Sequence, residues 1–201
     1  MLRSLVVIDG EFLPDDPTNM IKMGNHKKEF NLLVSTVEDE GSFLFAMTNA
    51  SFAKEKLSLN DAKSILIEKI KFFVPDHKPY DTETMLKFYF GKFNEFYDDD
   101  DLFKKQAGIA LGDLILGCPT LNFVKQLYKS DSSTMNVYHW FYRAKLGQVK
   151  ELCSKWGGTC HTNELYPVFG KPFEQRQNFH NREREISREI IDFIKSFIRT
   201  G

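Results

Sequence analysis

Phe30-Asn31-Leu32-Leu33-Val34-Ser35-Thr36 runs without a break into Val37-Glu38-Asp39-Glu40-Gly41-Ser42-Phe43. The first seven residues have the length and the residue types of a buried strand, as in a parallel sheet covered on both faces. The second seven put a carboxylate, Glu40, just past the C-terminal end of that strand, where open α/β sheets collect their functional groups. The stretch therefore predicts an α/β chain with its site at the strand ends.

Upstream, Leu5 to Ile8 is an extended apolar run closed by the Asp9-Gly10 turn signal, and Asp16-Pro17 opens a short helix ending near Gly24. Downstream, a helix is expected from about Leu57 to Phe73, with Ile65, Leu66, Lys69 and Phe73 on one face and Pro75 ending it. A second runs from about Thr82 to Tyr97 behind the cap Asp81, and a third starts near Asp101. The run Asp98-Asp99-Asp100-Asp101 lacks the alternating ligands and closing Glu of a calcium loop and reads as a solvated turn with an N-cap. From Gly112-Asp113 to Lys129 the chain carries Gly117-Cys118-Pro119-Thr120, which should restart a helix at Pro119. Met135 to Tyr142 is a second strand, and Ile186, Ile190, Phe193, Ile194, Phe197 and Ile198 form a helical stripe to pack on the sheet. No repeat, low-complexity tract or linker divides residues 1–201, which read as a single domain.

The chain has 201 residues, enough for a substantial core, and its 27 basic and 28 acidic residues are spread evenly, giving a net charge of -1. That balance leaves no electrostatic footprint for nucleic acid or an anionic membrane. No apolar run approaches the roughly 20 residues that span a bilayer, and the apolar part of residues 1–10 is too short for a secretory signal. Three cysteines leave at least one without an internal partner. Cys153 and Cys160 bracket Gly157-Gly158, so a disulfide between them would close a short loop before His161; two reduced thiols are the alternative. Cys-x6-Cys-His lacks the paired short spacings of a zinc site, so no metal is expected. Asn49-Ala50-Ser51 is the one glycosylation sequon.

His161 stands in Trp156-Gly157-Gly158-Thr159-Cys160-His161-Thr162-Asn163-Glu164, on the long connection after the second strand. An acid followed much later by a histidine is the second and third part of the α/β-hydrolase order, whose serine comes first on a Gly-x-Ser-x-Gly turn. Gly108 and Gly112 have the glycine spacing, but Ala110 stands between them, and the pair falls between acid and histidine. Taken alone, His161 would be an ordinary loop histidine and Glu40 one of three carboxylates on a solvated turn.

The landmarks together resemble the type-B carboxylesterase and cholinesterase family along essentially the whole chain. Val7-Ile8-Asp9-Gly10-Glu11-Phe12-Leu13-Pro14 resembles the family's Val-Ile-Asp-Gly-x-Phe-Leu-Pro. Glu38-Asp39-Glu40-Gly41-Ser42-Phe43 resembles its acid motif, Gly112-Asp113 with Cys118-Pro119 its Gly-Asp and Cys-Pro helix, and His161-x-x-Glu164-Leu165 with Val168-Phe169-Gly170 its histidine motif. Five matches in the family's order make the resemblance specific.

The resemblance implies a partial α/β-hydrolase fold: a mostly parallel sheet flanked by helices, without the N-terminal half that holds the nucleophile elbow. It implies a serine ester hydrolase in which Glu40 is the triad acid and His161 the base, acting on a small-molecule ester with no cofactor. This chain would be a C-terminal portion, inactive alone. Phe43 matches a position that lines the substrate gorge, while Trp156 is expected to pack beneath the histidine loop, and Glu38 and Asp39 are expected to be exposed or structural. Cys118 matches a cysteine whose partner lies beyond residue 201. Family members are secreted or extracellular, and the full-length protein could form a homodimer. Thr162 departs from the family's usual glycine, and its Cβ is expected to restrict the backbone there. A non-catalytic adhesion or interaction domain is the alternative from another class, and a truncation product with no function of its own is the third reading.

Overall fold

The computed structural model describes residues 7–47, 56–73, 81–94, 96–130, 135–147, 153 and 155–201. Their order is α1 (Pro17–Lys22), β1 (Leu32–Val37), α2 (Glu40–Met47), α3 (Leu59–Phe73), α4 (Thr82–Phe90), α5 (Asp100–Gly112), a π-helical segment (Asp113–Gly117), α6 (Cys118–Ser130), β2 (Val137–Tyr142), α7 (Leu165–Val168), α8 (Lys171–Glu174) and α9 (Asn181–Thr200). Helix dominates, and the sheet among the described residues is a small parallel pair of β1 and β2, in register from Leu32 opposite Val137 to Val37 opposite Tyr142. A parallel pair needs a crossover. Here the crossover is the helical stretch α2 to α6.

Local signals explain most boundaries. Asp16 accepts hydrogen bonds from the Thr18 and Asn19 amides, with Pro17 in the first turn of α1. Asp81 and Asp99 cap α4 and α5 in the same way, so the aspartate run is a cap and a turn. In the extended apolar run, Val7 and Ile8 are exposed and belong to no strand among the described residues; residues 1–6 lie outside the described set. Two expectations are corrected. Helix α4 stops at Phe90 rather than Tyr97, because the chain turns at Gly91 and sends Phe93 into the core edge-on to Phe103. The helix does not restart at Pro119: the wider π turn of 113–117 joins α5 to α6 without a break. Pro119 has no N–H to give and its ring would crowd the preceding turn, and the extra residue in the π turn removes that conflict.

The joined helix, residues 100–130, is long and apolar enough by length and composition to cross a membrane. That was not visible as an unbroken apolar run, because Asp113 interrupts it. Its α5 half lies in the main core instead. Phe45 of α2, Leu66 and Ile70 of α3, Phe90 of α4, and Phe103 and Leu111 of α5 are all buried there. Each such side chain contributes roughly 1.5–3 kcal/mol relative to exposure. A second cluster joins the sheet to α9 through Val37, Tyr142 and Ile190, with Ile186 and Ile194 beside them. The stripe on α9 thus packs as expected, although Phe193 and Ile198 remain exposed.

Gly108 and Gly112 belong to this packing and to no catalytic turn. They form the surface of α5 on which Gly41 and Ser42 of α2 rest, and a Cβ on any of the three glycines would meet opposing backbone. The close crossing fixes where α2 begins. It therefore fixes Glu40.

Candidate functional site

Glu40 is the first residue of α2, three positions past the end of β1. Its two carboxylate oxygens have separate duties: Oε1 accepts the Val37 amide at 2.9 Å, and Oε2 lies 2.6 Å from His161 Nδ1. An ionised carboxylate only accepts, so Nδ1 carries the proton. The neutral imidazole then presents Nε2 as a lone-pair acceptor, and Nε2 has no hydrogen-bond partner among the described residues. The Glu40 side chain is 11 % exposed and that of His161 37 %, so the pair is held in the protein but open at the imidazole.

The hydrogen bond to Glu40 is the largest influence on His161 and raises its pKa above the ordinary value of 6.5. Burial works in the other direction, and the charges of Glu40 and Glu164 add to the rise. Glu164 is itself pushed upward, first by burial and then by the Glu40 charge. One of its oxygens, Oε2, is buried without a partner among the described residues. The site therefore combines an oriented base with a nearby carboxyl whose ionisation is disfavoured.

The histidine loop is built by three local features. Cys153 and Cys160 form the disulfide, with Cα atoms 5.8 Å apart, which resolves the two sequence alternatives in favour of the bridge. Thr162 adopts φ 75°, in the left-handed region that suits glycine and disfavours a β-branched residue. Trp156 is buried beneath the loop, edge-on to Phe45 at 5.9 Å between ring centroids. Phe43 stands half-buried beside the imidazole, its ring centroid 6.5 Å away. Cys118 is free and exposed, and Asn49 lies outside the described residues.

Glu38 and Asp39 part company. Glu38 is salt-bridged to Arg143 at 2.8 Å near the surface, whereas Asp39 is 1 % exposed. Of the two roles expected for these residues, exposed or structural, Glu38 is nearer the first and Asp39 takes the second, while the proximity of Glu164 was not expected. The His161-x-x-Glu164 spacing, which puts both on one turn, was the available signal for that proximity. A cavity of about 180 Å³ is bordered by Glu40, Thr36, His139, Gly112 and Cys118, and His161 and Phe43 do not line it.

A sequence model of the carboxylesterase family matches residues 1–201. Acetylcholinesterase of Bungarus fasciatus is 29 % identical over 197 residues, an alignment covering 97 % of this chain and 31 % of the relative. Acetylcholinesterase of Danio rerio is 27 % identical over 224 residues, covering 97 % and 34 %, and cholinesterase of Mus musculus 26 % over 194 residues, covering 96 % and 31 %. The chain spans about a third of the length of these curated relatives.

Proposed function

The chain belongs to the carboxylesterase family, and from that membership we propose that it is the C-terminal part of a serine carboxylic-ester hydrolase of cholinesterase type. In this reading residues 1–201 form one incomplete α/β-hydrolase domain. They supply the acid and the base of a triad whose serine lies on a preceding segment, and the isolated chain is inactive. The observation that carries the reading is the 2.6 Å contact between Glu40 Oε2 and His161 Nδ1, which leaves Nε2 free to serve a hydroxyl.

The chemistry follows from that arrangement. His161 Nε2 takes the proton of the serine hydroxyl as the oxygen attacks the ester carbonyl, and Glu40 stabilises the imidazolium. The imidazolium then returns the proton to the leaving alcohol. In the second half, Nε2 takes a proton from water, whose oxygen attacks the acyl group, and gives it back to the serine. Phe43 stands where it could border the acyl or alcohol group. Full-length members of this kind would be secreted, take small-molecule esters and need no cofactor. The Glu40–His161 pair also weighs against a purely adhesive role, which requires neither residue.

The test uses a chromogenic ester on two proteins. The 201-residue chain should give no burst and no turnover, while a longer gene product with an upstream Gly-x-Ser-x-Gly segment should hydrolyse the ester. In the longer protein His161→Ala should lower kcat/KM by about 10³-fold or more. Serine-dependent turnover by the 201-residue chain alone, or full activity of His161→Ala, would overturn the reading.

A further inference from the structure

Asp39 immediately precedes Glu40, and Cys160 immediately precedes His161. These two predecessors form an isolated parallel bridge beyond the end of the sheet, with the Asp39 amide donating to the Thr159 carbonyl at 3.0 Å. The side chain of Asp39 reinforces the same seam. Its Oδ2 accepts the Thr159 amide at 2.9 Å, and Oδ1 lies 3.4 Å from Lys105 Nζ of α5. Oδ1 has no hydrogen bond among the described residues, so Lys105 acts on it by charge more than by alignment. The Ser42 hydroxyl sits 2.8 Å from both the Asp39 and Gly157 carbonyls, and Gly158, at φ +61°, has no room for a Cβ against the Asp39 carboxylate.

We propose that Asp39 is a positioning residue: its carboxylate, neutralised by Lys105, locks the histidine loop to the end of β1 in the one register that sets His161 Nδ1 against Glu40. A buried carboxylate needs compensation, and Lys105 supplies the one ion pair that Asp39 makes among the described residues. A slip of one residue along an extended segment displaces a side chain by about 3.3 Å and turns it to the other face, which would dissolve the contact. Asp39 touches no reacting atom. It works through the Thr159–Cys160 backbone.

This inference rests on the reading of Glu40 and His161 as an acid–base pair, but its test does not use turnover. The groups that bear on His161 are Glu40 of α2 and Glu164 at the start of α7, and Lys105 of α5 bears on Asp39. The experiment follows the His161 Nδ1–H proton and the His161 titration midpoint by NMR in the 201-residue chain, for wild type, Lys105→Met, Asp39→Asn and Asp39→Ala. Loss of the Lys105 charge acting merely through space would raise the midpoint. Loss of positioning lowers it, because the hydrogen bond to Glu40 weakens. Lys105→Met should therefore shift the midpoint downward by roughly half a pH unit or more and broaden the hydrogen-bonded proton signal. Asp39→Asn, which keeps an acceptor for Thr159, should fall between wild type and Asp39→Ala. An unchanged or raised midpoint in a folded Lys105→Met overturns the proposal, and so does a wild-type signal in a folded Asp39→Ala. If Asp39→Ala does not fold, Lys105→Met decides, since that side chain is about one-third exposed. Ester turnover by the longer protein together with an unmoved midpoint would defeat this inference alone. A moved midpoint with no turnover would defeat the functional reading alone.

Discussion

Gly41 of α2 rests directly on Gly112 of α5, backbone against backbone, with no space for a side chain between them. Because Glu40 is the neighbour of Gly41, the crossing of these helices sets the position of the carboxylate. Gly112→Ala should therefore destabilise the chain by about 1–3 kcal/mol through overpacking, even though alanine favours helix over glycine by up to about 1 kcal/mol. Urea melts measure the loss, and a variant as stable as wild type would contradict the contact.

Glu40→Gln should lower the His161 titration midpoint toward its ordinary value, since the Glu40 hydrogen bond and charge are what raise it. The sign for stability follows. A histidine whose folded pKa is raised contributes stability that is fully present below the unfolded value near 6.5 and is lost as pH rises through the folded value. Wild type should thus lose stability across that window relative to Glu40→Gln, whose profile there should be flatter. Melts between pH 5 and about pH 9 check it. The same rise predicts that, in a catalytically complete protein, kcat/KM increases with pH through a midpoint above 6.5, as the imidazole becomes the free base.

Thr162→Gly should stabilise the chain by up to about 1 kcal/mol, because Thr162 holds a left-handed φ of 75° that glycine adopts without steric cost. The gain is limited by the greater freedom of glycine in the unfolded state. The His161 midpoint should stay where it is. A loss of stability would mean that the Thr162 side chain contributes more than its backbone conformation costs.

Reducing the Cys153–Cys160 bridge should cost about 2 kcal/mol, the chain-entropy value for a loop this short. Thermal melts with and without a thiol reductant measure it. The effect should be absent in a Cys153→Ala and Cys160→Ala double variant, which starts at the reduced level.

What the sequence made legible follows from how local each signal is. Asp16 and Asp81 announced their caps, and the run Asp98 to Asp101 announced that it held one, which is Asp99, because the acceptor and the amides it serves lie within three residues. Phe30 to Thr36 and Met135 to Tyr142 announced strands by composition, close to the observed Leu32–Val37 and Val137–Tyr142, and Glu40 was placed by adjacency to the first of them. The run Leu5 to Ile8 carried the same composition without a strand being formed by Val7 and Ile8, because a strand also needs a neighbour to bond with. The π turn at Asp113–Gly117 was hidden for a related reason: it compensates for Pro119 through a one-residue surplus that no single residue type marks. Gly108 and Gly112 showed their spacing but not their use, which depends on Gly41 some 70 positions away. For Asp39 the sequence left exposed and structural roles open, and the choice is made by Lys105 and Thr159, distant in sequence, which close over it.

The parallel pairing of β1 with β2 also governs when the candidate site can exist. Glu40 and His161 are 121 positions apart, and closing a flexible loop of that length costs about 4 kcal/mol in chain entropy before any contact rewards it. Helices α2, α3 and α5 contact one another over shorter separations and can gather first, whereas the strand pair must wait for residues beyond 137 to be synthesised. A ribosome-bound chain therefore has to add 121 residues after its acid to make the base that meets it. The pair that defines the site is a late product of folding, assembled only after β2 and the histidine loop have emerged.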